Sequence, residues 1–141
     1  MRRSVSSIAT AIIALSLFCG SASAQLYWSD GDSGRFNGQK FRLADVDAPE
    51  TGGVGAAIGG AECEKERERG FEAKEFIVEL TRGKSIELVQ VGGETTFGRQ
   101  VSRVFADGED VAEAGIRAGM LRPWPHEGSK ALTPKPDWCG S

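Results

Sequence analysis

One short segment of the chain combines acidic and basic side chains at a spacing that suits phosphate chemistry. Three acids and an arginine fall within nineteen residues: Asp32, Arg42, Asp47 and Glu50. Carboxylates bind a hard cation, a guanidinium holds a phosphate, and a remaining carboxylate can orient or deprotonate water. A second arginine, Arg99, lies far downstream, and we expect it to supply the other half of a phosphate clamp.

A β-hairpin is predicted to carry this segment. Asn37 and Gly38 supply the positive φ angles that a type I′ turn requires. Alternation along the strand after the turn puts Phe41 and Leu43 on one face and Arg42 on the other. The arginine is therefore expected on the face opposite the apolar side chains.

Two helices are predicted after the hairpin. The longer one covers residues 62–80, and its apolar stripe consists of Phe71, Phe76, Ile77 and Leu80. The charged run at 62–69 is interpreted as the solvated face of this helix. The shorter helix begins at the capping residue Asp110, with Glu113 completing a capping box, and ends at Gly119.

Short strands and irregular segments fill the rest of the chain. Strands are predicted at 26–28, 85–89 and 100–106, a glycine-rich surface loop at 51–60, and a proline-rich irregular tail at 122–141. This order predicts an α+β fold that is mostly β. We expect a five-stranded Greek-key barrel with a helix between strands 3 and 4 and a short C-terminal helix.

The first 24 residues are predicted to be a signal peptide. Arg2 and Arg3 precede an apolar run, and residues 22–24 form an A-x-A cleavage site. The run is too short for a transmembrane helix, so we expect no membrane anchor after cleavage and a secreted or periplasmic protein. Residues 25–141 would form one domain.

Charge and cysteine content limit what this domain can be. Without Arg2 and Arg3, 15 basic and 20 acidic side chains remain, a net charge of −5, so phosphate binding must come from a local site. Cys63 and Cys139 would be left, and an exported pair is most simply a disulfide that staples the tail. Such a bond contributes about 4 kcal/mol in the chain-entropy account.

Four motifs resemble those of the staphylococcal-nuclease-like (thermonuclease) family. They begin at Asp30, Phe41, Phe97 and Asp107 and read DGDS, FRLADVDAPE, FGR and DGEDV. The resemblance covers nearly all of residues 26–122. It implies an OB-fold barrel with added helices and calcium-dependent hydrolysis of DNA and RNA.

The resemblance also implies which residues would hold the calcium ion. Asp32 and Asp47 match the family's metal carboxylates, and Ala48 would offer its backbone carbonyl. Calcium accepts such oxygen ligands together with water. For Asp30 we favour an ordinary turn-forming role over a place in the metal site.

Three further residues match the family's catalytic groups. Glu50 matches the carboxylate that activates water, and Arg42 and Arg99 match the pair that holds the scissile phosphate. A planar guanidinium stabilises the developing charge better than an ammonium does. Each residue also has a purely structural interpretation. Glu50 could be a glutamate on a surface loop, Arg42 could form a structural salt bridge on its strand, and Arg99 could be a cation at the start of a strand.

The sequence departs from the family pattern just before Arg99. Family members commonly carry an Asp, a basic residue and a Tyr there, whereas this chain has Thr95, Thr96 and Phe97. Loss of a cation and a phenolic hydroxyl predicts weakened substrate binding. Elsewhere, we interpret His126 as a surface residue, and packing is favoured over base stacking for Trp124 and Trp138.

Together these expectations describe an exported, monomeric phosphodiesterase that uses calcium to cut single-stranded or unpaired nucleic acid. The alternative is a non-catalytic OB-fold module that binds nucleic acid or nucleotides, and an exported module that binds sugar or protein is a third possibility. Retention of the acids and of both arginines favours the enzyme.

Overall fold

The computed structural model describes residues 23–140. The predicted signal peptide, residues 1–24, falls almost entirely outside this part of the chain. None of the helices within residues 23–140 combines the length and apolar character needed to cross a bilayer.

Short strands surround a long helix, as the α+β prediction requires. Before the helix come β1 (Leu26–Trp28), β2 (Ser33–Phe36), β3 (Gln39–Leu43) and β4 (Val46–Asp47). The helix α1 covers Glu64–Thr81. It is followed by β5 (Ile86–Glu94), β6 (Gln100–Ala106), β7 (Glu109–Asp110), α2 (Val111–Arg117), β8 (Arg122–Pro123), β9 (His126–Glu127) and β10 (Lys130–Ala131). The α+β class is confirmed.

The main sheet is an open path of strands. Its order is β1-β2-β3-β6-β5, and β7 adds to β6. Only the β3–β6 pair within this sheet is parallel. In residues 23–140 no ladder joins β1 to β5, so the structure does not show the predicted closed five-stranded barrel.

The long helix follows four strands rather than the predicted three. Asp45 adopts a positive φ of 59°, which ends β3 and turns the chain into the short strand β4. That strand pairs with β8 in a separate two-stranded ladder, in which Asp47 faces Arg122. A break of this kind is set by a distant partner and leaves no periodic signal.

The predictions that were based on turn-forming and helix-capping residues are correct. Strands β2 and β3 form the expected hairpin, with φ angles of 49° at Asn37 and 83° at Gly38. The predicted strand at 100–106 is β6. Asp110 caps α2, since its side chain accepts the backbone N–H groups of Ala112 and Glu113.

The buried face of α1 differs from the prediction. It consists of Glu66, Gly70, Ala73, Ile77 and Thr81. Ile77 is fully buried as expected, but Phe71 is 49% exposed. Glu66 belongs to the run interpreted as solvated, yet it is only 3% exposed. The helix packs through small residues because it lies very close to the loop that follows β4.

The core forms where the sheet meets the two helices. Its buried members are Trp28, Phe41, Leu43, Val46, Ala48, Ile77, Val104, Ala106, Val111, Ala112 and Leu121. Trp28 and Phe41 make an edge contact with ring centroids 5.1 Å apart, which is a favoured aromatic geometry. The core therefore fixes β3, the strand that carries Arg42.

The C-terminal tail returns to the start of α1. The predicted disulfide is confirmed, since Cys139 is bonded to Cys63, the residue that caps α1. The tail was expected to be irregular, but it contains three two-residue strands, β8 to β10. Its path brings the last residues of the chain across β4.

Candidate active site

The pairing of β2, β3 and β6 brings the predicted site residues together. Ser33 on β2 pairs with Arg42 on β3, and Arg42 pairs in parallel with Val101 on β6. Arg99 stands just before β6 and donates a hydrogen bond from Nη1 to Ser33 Oγ over 3.1 Å. Two arginines distant in sequence thus flank the same end of β2.

Asp32 is a buried anchor for this end of the sheet. Its Oδ2 accepts hydrogen bonds from Arg42 Nη1 at 3.2 Å and from the backbone N–H of Ala48 at 2.9 Å. Its Oδ1 accepts one from the Ser33 hydroxyl at 3.0 Å. Gly31 permits this approach, because a Cβ there would lie 3.0 Å from the Cβ of Ala48. Asp32 and Ala48 are therefore adjacent, as a shared metal site requires.

Asp47 is the second buried carboxylate, with only 1% of its surface exposed. Its Oδ2 accepts a hydrogen bond of 2.8 Å from Trp138 Nε1, and Arg42 Nη2 lies 3.8 Å from its Oδ1. Burial raises the pKa of Asp47 to about 6, although the Trp138 hydrogen bond acts in the opposite direction. A cation beside this carboxylate would offset the penalty that burial places on its charge.

Asp30 makes the contacts of a turn-forming residue. Its Oδ1 accepts the backbone N–H groups of Asp32 and Ser33 and the Ser33 hydroxyl, at 2.8 to 3.1 Å. Burial, followed by the charge of Asp32, raises the pKa of Asp30 to about 7. These hydrogen bonds agree with the Asx-turn interpretation.

Helix α1 positions Glu50 through its backbone. The N–H of Glu50 donates to Glu66 Oε1 at 3.2 Å, and the N–H of Glu62 donates to Glu66 Oε2 at 2.7 Å. A Cβ at Gly70 would lie 2.4 Å from the carbonyl oxygen of Glu50, so only glycine allows the helix this close. Glu50, in the loop after β4, is thus held by its backbone against helix α1.

Removing the Glu66 carboxylate should destabilise the protein. In Glu66→Ala, two backbone N–H groups near the site lose a charged acceptor, and we expect the free energy of unfolding to fall by about 2–3 kcal/mol. Urea denaturation measures this change. Glu68→Ala, at an exposed position of the same helix, is the matched control and should change stability by less than about 0.5 kcal/mol. Equal losses in both variants would show that Glu66 has no special role.

The two arginines differ in how many of their hydrogen-bond donors are paired within the protein. Arg42 donates to Asp32 and to the carbonyl oxygen of Val46, and its side chain is 18% exposed. Arg99 donates to Ser33, but its buried Nε has no hydrogen-bond partner in the part of the chain that the structure describes. Buried donors are normally paired, so the protein satisfies Arg99 less completely than Arg42.

Two adjoining cavities open at this cluster, with volumes of about 350 and 690 Å³. Arg42, Glu50, Phe97 and Arg99 line both of them. Asp32 faces the smaller cavity, and Asp47 faces the larger one. The two guanidinium groups and the carboxylate of Glu50 therefore stand on a wall shared by two clefts of nucleotide size.

The tail contributes residues that were not predicted for the site. Lys135 Nζ lies 3.3 Å from Glu50 Oε1. Trp138, which was interpreted as a packing residue, is 3% exposed and also donates a hydrogen bond to Asp47. Trp124 and His126, whose rings touch at 4.6 Å, line the larger cavity. His126 is half-buried, and its backbone N–H donates a hydrogen bond to Asp45 Oδ1. Only the spacing of Lys135 from Cys139 could have suggested its position.

A family model described as staphylococcal nuclease homologue matches residues 40–130, which is more than half of the chain. The match confirms the resemblance inferred from the four motifs. Its span includes Arg42, Asp47, Glu50 and Arg99, whereas Lys135 and Trp138 lie beyond it. None of the curated proteins compared with the chain matches it.

Proposed function

The chain belongs to the staphylococcal nuclease homologue family, and on this basis we propose that it is an exported, calcium-dependent nuclease that hydrolyses phosphodiester bonds of DNA or RNA. The observation that carries the proposal is the convergence of Arg42, Glu50 and Arg99 on the wall shared by two cavities. The family also implies the OB-fold for the sheet that carries them. Export is supported by the predicted signal peptide and by the disulfide, which suits an oxidising compartment.

The residues present fit a calcium ion. Asp32 and Asp47 are buried carboxylates, and Ala48, which follows Asp47 and donates its N–H to Asp32, would supply its backbone carbonyl. These are hard oxygen donors of the kind calcium prefers, and a dication would offset the burial of the two charges. When bound, the ion would stabilise negative charge on the substrate phosphate.

The catalytic work falls to the side chains on the shared wall. A water attacks phosphorus in line with the leaving oxygen, Glu50 takes the water's proton, and the P–O bond to the leaving oxygen breaks. Arg42 and Arg99 hold the phosphate oxygens, whose negative charge grows in the transition state. Clefts of this size accept a single nucleotide on each side, so the substrate is single-stranded or unpaired nucleic acid.

The second candidate function is a non-catalytic module that binds nucleic acid or nucleotides. Thr95, Thr96 and Phe97 favour it, because they replace a cation and a hydroxyl at the substrate side of the larger cavity. Lys135 favours it too, since its ammonium neutralises Glu50. The presence of Asp32, Asp47 and both arginines favours the enzyme.

Cleavage assays separate the two candidates. Residues 25–141 are incubated with end-labelled single-stranded DNA and RNA, with calcium or with a chelator. We expect shortened products only with calcium. Binding of the labelled strands without any product, at every calcium concentration, would leave the non-catalytic module as the function.

Calcium should also stabilise the folded protein. Calcium added with a nucleoside bisphosphate at about 100 times the dissociation constant should raise the free energy of unfolding by about 2.7 kcal/mol, which is seen as a higher melting temperature. Asp47→Ala should abolish this gain, and circular dichroism should show that the variant is folded. Glu68→Ala removes an exposed carboxylate and should retain the full gain. A full gain in Asp47→Ala would exclude Asp47 from the metal site.

A further inference from the structure

We propose that the end of the tail, residues 135–139, is part of the active site, and that Lys135 is a resident cation which a divalent metal ion must displace. The proposal rests on the proposed function, because it concerns the same acidic cluster. It adds a residue that lies outside the family match, which ends at residue 130. We define this segment as the tail strap.

The ammonium of Lys135 lies between Asp47, a proposed calcium ligand, and Glu50, the proposed general base. Its Nζ is 3.3 Å from Glu50 Oε1 and 4.0 Å from Asp47 Oδ1. The Lys135 side chain is 44% exposed, whereas that of Asp47 is 2% exposed. The lysine can therefore turn away into solvent while the carboxylate stays in place, which is what displacement by an ion requires.

Lys135 places a positive charge among the acids of the site. Its ammonium forms ion pairs with the carboxylates of Glu50 and Asp47. A unit positive charge this close to the ligands opposes the binding of a dication.

The tail strap keeps the Lys135 ammonium near the site because Trp138 and Cys139, at its C-terminal end, are anchored to the rest of the protein. Trp138 Nε1 donates to Asp47 Oδ2 at 2.8 Å, and Cys139 is bonded to Cys63. The Arg122 guanidinium lies 4.2 Å from the Trp138 ring centroid, a favourable cation–π distance. Lys135 is consequently tethered three residues from an anchored tryptophan, and competes with the ion as an intramolecular group at high effective concentration.

Calcium titration by calorimetry, without nucleic acid, tests the proposal. Lys135→Met removes the charge and keeps much of the stem, and we expect it to bind calcium about tenfold more tightly than wild type. Lys135→Arg retains the charge and should bind calcium like wild type. Lys130→Met removes an exposed charge elsewhere in the tail and is the matched control, also expected at the wild-type affinity.

The outcomes separate this proposal from the proposed function. If wild type binds calcium and cuts nucleic acid, but Lys135→Met binds calcium with unchanged or lower affinity, the role of Lys135 is overturned and the nuclease stands. If no variant binds calcium, the metal site itself fails and the proposal falls with it. A tighter Lys130→Met would overturn it as well, since the effect would then belong to net charge.

Reduction of the disulfide tests the tether. With dithiothreitol present, and with the fold checked by circular dichroism, the wild type should bind calcium more tightly, in the direction of Lys135→Met. Lys135→Met itself should show no further gain on reduction. An equal gain in both proteins would overturn the tether, because the disulfide would then act on the site without Lys135.

Discussion

Replacing Glu50 by glutamine should lower turnover by at least about 100-fold, the typical contribution of a general base. Glutamine has nearly the same shape as glutamate but cannot take the proton of the attacking water. The backbone N–H of residue 50 still donates to Glu66, so the loop should keep its place. Single-turnover cleavage of a labelled single-stranded DNA with saturating calcium measures the effect.

A matched substitution controls for the loss of a negative charge. Glu68→Gln makes the same chemical change at an exposed position of α1 and should cut at the wild-type rate. Binding of the DNA by Glu50→Gln should remain close to wild type, because the base acts only in the transition state. Wild-type cleavage by Glu50→Gln would remove the residue from the mechanism.

Replacing Arg99 by lysine should reduce kcat by about 100-fold or more, with a much smaller rise in KM. The guanidinium offers a planar fork to the phosphate, whereas an ammonium offers a single point of charge. Since the charge on the phosphate oxygens grows as the reaction proceeds, the loss should fall on kcat. Steady-state kinetics with DNA at saturating calcium give both constants.

Comparison with the other arginines makes this prediction specific. Arg42→Lys should lower kcat too, and in addition lower stability, because Arg42 also holds Asp32 and the carbonyl of Val46. Arg117→Lys, on the exposed face of α2, should change neither constant. A raised KM with an unchanged kcat in Arg99→Lys would mean that Arg99 serves only to bind the substrate.

The features that were predicted correctly depend on neighbouring residues. Asn37 and Gly38 define the hairpin turn by their own φ preferences, and Asp110 caps α2 through N–H groups two and three residues away. The prediction that Arg42 and Arg99 act together came from the resemblance to the family, and the pairing of β3 with β6 places both arginines on the walls of the same two cavities. Such signals survive in a single sequence because the structure that they specify is local or inherited with the motif.

The features that were missed depend on contacts between distant segments. Glu66 was assigned to a solvated face because its neighbours are charged, yet it is buried by the return of the loop at Glu50. Trp138 and Lys135 reach Asp47 and Glu50 across about 90 residues of chain. The open strand order likewise depends on whether β1 meets β5 in space, which no periodicity within either strand reveals.

The parallel pairing of β3 with β6 has a consequence for how the protein acquires its activity. The pair joins positions about 60 residues apart, such as Phe41 and Gln100. Closing so long a loop costs chain entropy before any contact repays it, so pairings of this kind form late in folding. Arg42 lies on β3 and Arg99 lies just before β6, so each strand of the pair carries one of the two arginines. Under the proposed function, a chain that has not yet folded carries only half a phosphate clamp on each of these segments, and we expect it to be inactive toward nucleic acid until β3 and β6 have paired.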